Sequence, residues 1–379
     1  MSYLWYWPSG GWDFDAWRAT CTWRPVEGSQ SGEAELVRLV DRGQTLDEWL
    51  LRKAKIAAVV TELLGRVEDT PPAEPEWEVL ETHADPALVR RRLRYRLTPR
   101  EWGYAWLLMP RNAIEPLPAV IALHQTVPDG KDEPVGLNVD PERAYGRELA
   151  ERGFAVLVPD AIGFGERAKD HWNSLYRSAD GFFAVHPEGS VMAKMAYDTS
   201  RAVDLLQVLP GTDASRVGCI GHSHGGYGTL FAMMADERIG AGVISCGISG
   251  FRSDPTPERW WRMTALIPRL GLYEGRIAEI PIDFHHLLAL VAPRPLFVSA
   301  ALRDAIFPNT ENVRQMLKLV RPVYELYGAE GWLRSWVFDG DHCFPRQARS
   351  RAYRVLAEAL GPSASKELRG GEREEVLGT

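Results

Sequence analysis

The residues best equipped for chemistry in this chain surround Ser223. It stands in Gly221-His222-Ser223-His224-Gly225-Gly226, between the apolar run Val217-Gly218-Cys219-Ile220 and the helix-like Tyr227–Ala235. A bare G-x-S-x-G match is weak, because glycine and serine are common. A buried strand before it and a helix after it make it specific. In so tight a turn the serine backbone is strained, and side chains two positions away on either side would collide. Gly221 and Gly225 remove that collision, and Gly226 lets the helix approach the strand. A phosphate cradle is the competing reading of a glycine-rich strand–helix turn, but no lysine follows these glycines and the G-x-G-x-x-G spacing is missing.

A serine hydroxyl is barely nucleophilic at neutral pH and needs a base within hydrogen-bond reach. Of the nine histidines, His342 is the best candidate. It follows the strand-like Trp336–Phe338 in a loop, Asp339-Gly340-Asp341-His342, at a carboxyl strand end. The base in turn needs a carboxylate to hold its tautomer. Asp304, just past the strand Pro295–Ser299, fits that role. Asp283, Asp339 and Asp341 are rivals, though side chains adjacent on one turn seldom make the bond required. The oxyanion formed on attack needs two donors. One is the N–H of His224; the other comes from His124-Gln125-Thr126, after the run Ala119–Leu123, as the N–H of Gln125 or of Thr126. His124 itself reads as a structural hydrogen-bonding ring.

These groups must be positioned by the elements around them. Ala119–Leu123, Ala155–Val158, Val217–Ile220, Gly242–Ser245, Leu296–Ser299 and Ser335–Phe338 are short apolar runs, with helix-like segments between most of them. Continuous apolar runs mark parallel strands buried on both faces. Before them, Trp77–Thr82, Val89–Leu97 and Tyr104–Met109 predict an antiparallel meander. Residues 1–75 differ. Trp5, Trp7, Trp12, Trp17 and Trp23 crowd the start, and Thr45 with Glu48 forms a capping box. Leu46, Trp49, Leu50, Ala57, Val60, Leu63 and Leu64 then recur at helical spacing up to Gly65. This predicts a helical extension (1–75), a catalytic domain (76–361) and a flexible tail (362–379). Insertions near 160–191 and 250–282 carry Trp172, Phe182, Phe183, Trp260 and Trp261, which either line a substrate pocket or form lid core.

With 44 basic and 51 acidic residues the net charge is −7, which argues against nucleic acid as a partner. Cys21, Cys219, Cys246 and Cys343 form no C-x-x-C pair, so neither a disulfide framework nor a zinc ribbon is expected. No stretch is long and apolar enough for a membrane span, and the first residues lack a secretory pattern, so the expected location is the cytoplasm. The oligomeric state is open, with a homodimer as one arrangement.

Taken together, these motifs resemble the α/β-hydrolase superfamily, in which the chain order is Ser…Asp…His. Within it they are similar to the dienelactone hydrolase and acetyl xylan esterase-like branch. The resemblance rests on Pro159-Asp160-Ala161-Ile162-Gly163-Phe164-Gly165-Glu166-Arg167, the Gly221–Gly226 turn, Asp283–Leu296 and Gly340-Asp341-His342-Cys343-Phe344-Pro345. It implies a mainly parallel sheet with antiparallel N-terminal strands and helices on both faces. It also implies ester hydrolysis through an acyl-enzyme, with Ser223 as nucleophile, Asp304 as acid and His342 as base. A small soluble ester is the expected substrate, an acetylated carbohydrate being one form and a lactone the alternative. Dienelactone hydrolases use cysteine where this chain has serine, and His124-Gln125-Thr126 replaces the usual H-G-G loop. Two rival classes remain. A metallohydrolase would draw on His222 with His224, or on Asp283, His285 and His286, yet three or four convergent ligands are not in view. A non-catalytic binding module would not need a complete Ser, Asp and His set. No metal or organic cofactor is expected.

Overall fold

The computed structural model describes residues 12–25, 39–67, 69–113, 116–138, 140–169 and 174–361. Trp5, Trp7, Trp172 and the expected tail 362–379 lie outside them. Among the described residues nine strands form one sheet: β1 (Trp77–Ala84), β2 (Leu88–Thr98), β3 (Glu101–Pro110), β4 (Leu117–Leu123), β5 (Ala155–Pro159), β6 (Thr212–His222), β7 (Ile239–Ser245), β8 (Leu296–Ala301) and β9 (Leu333–Phe338). Their order is β1-β2-β3-β5-β4-β6-β7-β8-β9. β1, β2 and β3 pair antiparallel, β3 meets β5 antiparallel, and all pairs from β5 to β9 are parallel. This is the expected α/β-hydrolase sheet.

Among the described residues ten α-helices flank it: α1 (Phe14–Thr20), α2 (Leu46–Leu64), α3 (Tyr145–Ala150), α4 (Ser174–Arg177), α5 (Asp180–Phe183), α6 (Val191–Val208), α7 (His224–Ala235), α8 (Phe284–Leu290), α9 (Thr310–Leu326) and α10 (Arg346–Leu360). The period-2 alternation of each strand divides the core. Ala119 and Ile121 of β4 join the core beneath α6 and α7, whereas Val120 and Ala122 join the core beneath α3 and α10. Both faces are therefore apolar, which is why these strands read as unbroken hydrophobic runs. Among the described residues, no helix is long and apolar enough to cross a membrane.

Thr45 caps α2 and Glu48 completes the capping box. Trp49, Ile56, Val60 and Leu63 form its buried stripe, while Leu50, which the spacing assigns to the stripe, is exposed. The N-terminal residues share the main core. Trp12 stacks on Phe183 with ring centres 4.9 Å apart and donates its indole N–H to the carbonyl of Trp261 at 3.0 Å. Phe14 packs so closely on Gly271 that a Cβ there would lie 2.3 Å from its ring. Arg269 joins Glu188 to the Glu62 carbonyl. One aromatic cluster thus fastens both insertions to α1 and α2.

The Pro159–Arg167 motif has a structural role. The buried Asp160 carboxylate takes the Lys131 ammonium at 2.7 Å and the N–H groups of Lys131 and Glu166 at 2.8 and 3.0 Å. A Cβ on Gly165, where φ is +50°, would lie 2.1 Å from that carboxylate. The motif locks the root of the first insertion to the loop after β4. Removing the Trp12 ring should cost about 3–5 kcal/mol, as for other large-to-small core changes. Urea denaturation of Trp12→Ala checks this, and a loss below about 1 kcal/mol, in the range of surface substitutions, would separate the N-terminal residues from the core.

Candidate active site

β6 ends at His222, α7 begins at His224, and Ser223 turns the chain between them. Its backbone has φ 55° and ψ −116°, which an L-residue adopts only under constraint. The constraint is visible. The Ser223 N–H donates to the Ser245 carbonyl at 2.8 Å, and the Ser223 carbonyl accepts from Gly226 and Tyr227. A Cβ on Gly221 would lie 2.1 Å from the Gly225 carbonyl oxygen, and one on Gly225 would lie 2.0 Å from that of Leu123. One on Gly226 would lie 2.9 Å from the Ser245 oxygen. All three glycines are therefore obligatory, for the collisions the spacing predicts.

Asp304 follows β8 and His342 follows β9, so both reach the carboxyl edge on which Ser223 sits. The His342 Nδ1–H donates to Asp304 Oδ2 at 2.8 Å. Asp304 Oδ1 accepts from the N–H groups of Ile306 and Phe307, both at 2.8 Å. Burial alone would push this carboxyl up, but the His342 bond and the two backbone donors hold it below its usual range. His342 Nε2 is buried and has no hydrogen-bond partner among the described residues. The expected Ser223–His342 hydrogen bond is thus not formed here; catalytic hydrogen bonds are often long without substrate and tighten when it binds.

The rival carboxylates are placed elsewhere. Asp339 and Asp341 keep 72% and 84% of their side chains exposed and pair with Arg303. Asp283 is buried as the N-cap of α8, accepting from Phe251 and Phe284; burial pushes it up to about 6. His124 is structural, as its sequence context suggests. Its Nδ1–H donates to the Gln125 carbonyl at 2.6 Å, and its Nε2 accepts from the Ala161 N–H at 3.0 Å. The Gln125 side chain is committed to Glu133 at 2.9 Å, so the Gln125 amide group is not a donor for the oxyanion and the backbone N–H groups of Gln125 and Thr126 stay as the candidates. His224, first residue of α7, offers an N–H with no intrahelical acceptor.

The His222 and His224 rings go to different environments. His222 accepts or donates at Ser245 Oγ, 3.1 Å away, and its ring lies 4.8 Å from that of His342 and 6.1 Å from Phe344. His224 is boxed by His124, Phe164, Tyr176 and Tyr227. Among the described residues, the group that gathers three ligand atoms is Cys246, Asp304 and His342, all within 4.8 Å of one another. Neither cluster considered for a metallohydrolase does so. Cys246 and His222, missed as neighbours of the base, carry one sequence signal each: His222 adjoins the nucleophile, and Cys246 directly ends the strand beside it.

Of the two readings of the aromatic insertions, the packing of the described rings fits lid core. Phe182, Phe183, Trp260 and Trp261 are all buried, and Phe183 and Trp261 face Trp12 rather than an open cleft. Trp260 alone of the four backs the site, touching Tyr227 and Phe307; the Phe307 ring lies 5.9 Å from that of His342. Trp172 falls outside the described residues.

Burial, then the neighbouring His124, pushes the His224 imidazole down to about 3. An unfolded histidine titrates near 6.5, so below that pH the unfolded chain binds a proton the folded one refuses. Stability from this ring is complete above about 6.5 and is lost as pH falls toward the folded value. The fall in Tm from pH 7 to pH 5 should therefore be smaller in His224→Phe than in the wild type; an equal fall would exonerate this ring.

Three comparisons bear on the site. A family model described as glucuronyl esterase, fungi, matches residues 106–328, more than half of the chain. That span holds Ser223 and Asp304 and stops before His342. YtaP of Bacillus subtilis (strain 168), whose name places it among hydrolases, is 26% identical over 308 residues, covering 79% of this chain and 96% of that one. A 4-O-methyl-glucuronoyl methylesterase of Hypocrea jecorina (strain QM6a) is 30% identical over 158 residues, 36% of this chain; the aligned part spans about a third of that enzyme (32%). Among solved structures, a glucuronoyl esterase from Solibacter usitatus superimposes with a TM-score of 0.69 at 18% identity, covering 84% of this chain and 95% of that one. That last likeness carries the fold.

Proposed function

The chain belongs to the glucuronyl esterase family, and from that premise we propose that it is a serine esterase whose substrate is the ester of a sugar acid. The supporting observation is the buried Asp304–His342 pair, whose second ring nitrogen is left without a partner at the sheet edge that carries Ser223. Ser223 Oγ attacks the ester carbonyl while His342 Nε2 takes its proton. The N–H of His224 and that of Gln125 or Thr126 hold the oxyanion. His342 returns the proton to the departing alkoxide, then takes one from the water that releases the acid from Ser223. Asp304 keeps the proton on Nδ1 throughout and offsets the imidazolium charge. The proposal retains a small soluble ester in the cytoplasm as the physiological setting.

Ser223→Ala should lower kcat by about 10⁶, and Asp304→Asn by about 10⁴, as in other triads. Both are measured on methyl glucuronate beside p-nitrophenyl acetate. Near-full activity of Ser223→Ala would end the acyl-enzyme reading. The base must be unprotonated, so the rate should rise with pH as the base loses its proton. His124, His222 and His224 are held down by burial, so one ionisation is expected in the limb. A flat profile between about pH 5 and 8 would remove His342 from the role.

A further inference from the structure

One cation beside the site has donors to spare. Arg259 belongs to the second insertion and is 9% exposed. Its Nε–H is fixed at one end, 2.8 Å from Asp254 Oδ2 and 3.1 Å from the Thr256 carbonyl. Asp254 is itself buried and accepts from Ser249 Oγ and Trp260 Nε1, both at 3.2 Å. The anchor therefore cannot swing. The Nη1 and Nη2 groups make no hydrogen bond among the described residues, and neither is sealed in the interior. A buried guanidinium ordinarily fills its donors. Here the fork is held rigidly and left open.

Contacts locate the open end. Arg259 Cζ lies 5.2 Å from the centre of the Phe307 ring, and that ring lies 5.9 Å from the His342 imidazole. Trp260, the next residue, packs against both Phe307 and Tyr227, and the Tyr227 N–H donates to the Ser223 carbonyl one helical turn from the nucleophile. The guanidinium thus packs on the Asp304 loop, through the ring that also meets the His342 imidazole.

We infer that Arg259 is a substrate-binding residue whose Nη1 and Nη2 hold hydroxyl or ring oxygens of the sugar acid whose acyl group Ser223 takes up. This deepens the esterase reading above and rests on it. The pair with Asp254 is close to neutral, so the open donors suit uncharged oxygen acceptors rather than a second carboxylate. An aliphatic acid would leave them unpaired on closure, which is the source of discrimination at sites built around hydroxyl groups.

The test compares two esters that differ only in ring oxygens and hydroxyls: methyl glucuronate and methyl cyclohexanecarboxylate. In Arg259→Met the ratio of their kcat/KM values should fall by about 10- to 100-fold, mostly through KM for the glucuronate, the range for hydrogen bonds to a charged donor. Arg259→Lys, which keeps one charged donor, should recover part of the ratio. Binding of methyl glucuronate to Ser223→Ala, with and without Arg259→Lys, gives the same answer by calorimetry if the Met variant folds poorly. An unchanged ratio, or equal losses on both esters, overturns the inference and makes Arg259 a purely structural partner of Asp254. A wild-type chain that cleaves p-nitrophenyl acetate but discriminates against the glucuronate overturns it as well, leaving the esterase chemistry intact. Failure on all three esters overturns the esterase reading and this inference together.

Discussion

The strained turn at Ser223 is the constraint on which the site depends. A serine at φ 55° is unfavourable by about 1–3 kcal/mol, and it persists only because the surroundings permit little else. The turn is clamped by three strands at once. β7 supplies the Ser245 carbonyl to its N–H, β4 presents the Leu123 carbonyl where a Cβ on Gly225 would sit, and β6 delivers Gly221 against Gly225. Because the clamp is backbone, it also fixes the spacing between the nucleophile and the loop after β4. The candidate oxyanion donors at Gln125 and Thr126 therefore move with the elbow, not independently of it. His124 completes that coupling by bridging the loop after β4 to the N–H of Ala161 after β5.

Around this turn, charge is sorted by burial. Asp304 is taken out of water and given three donors, so its charge is retained where the imidazole needs it. Asp339 and Asp341, only a few residues from His342, stay in solvent with Arg303 as their counter-charge. Asp283, equally buried, spends an oxygen on the backbone N–H groups of Phe251 and of Phe284 at the start of α8. Three neighbouring carboxylates and one distant one are chemically identical in sequence. Only the number and direction of donors around them separate an orienting acid from a cap or a surface charge.

That contrast explains what could be read from residues alone. The elbow was legible because local sterics demand glycine at Gly221, Gly225 and Gly226, and the strands because both of their faces are buried. Asp304 was legible from its place past a strand, since chain ends of parallel strands gather at one edge. The aromatic insertions were not. Trp261 and Phe183 meet Trp12, separated by 249 residues in the first case, and no local pattern distinguishes a ring that will be covered from one that will line a cleft. Leu50 failed for a milder reason: its spacing fits the α2 stripe, but Ile56 occupies the buried side. Cys246 lay hidden in an apolar strand run, where a thiol reads as a small hydrophobe.

The buried aromatics still bear on the chemistry, through what they support. Trp260 is packed between Tyr227, Phe251, Phe284 and Phe307, and Phe307 touches the His342 ring while its N–H holds Asp304. His222 lies against the same imidazole, and Phe344 stacks behind His222. The Asp304–His342 bond is consequently enclosed by rings, where a low dielectric strengthens a satisfied hydrogen bond and penalises an unsatisfied one. Trp12 covers Trp261, the next residue after Trp260, so the N-terminal segment stiffens the wall of the site without reaching it. The last strand delivers the loop that carries His342, while Trp12, just ahead of α1, steadies the same wall only through Trp261.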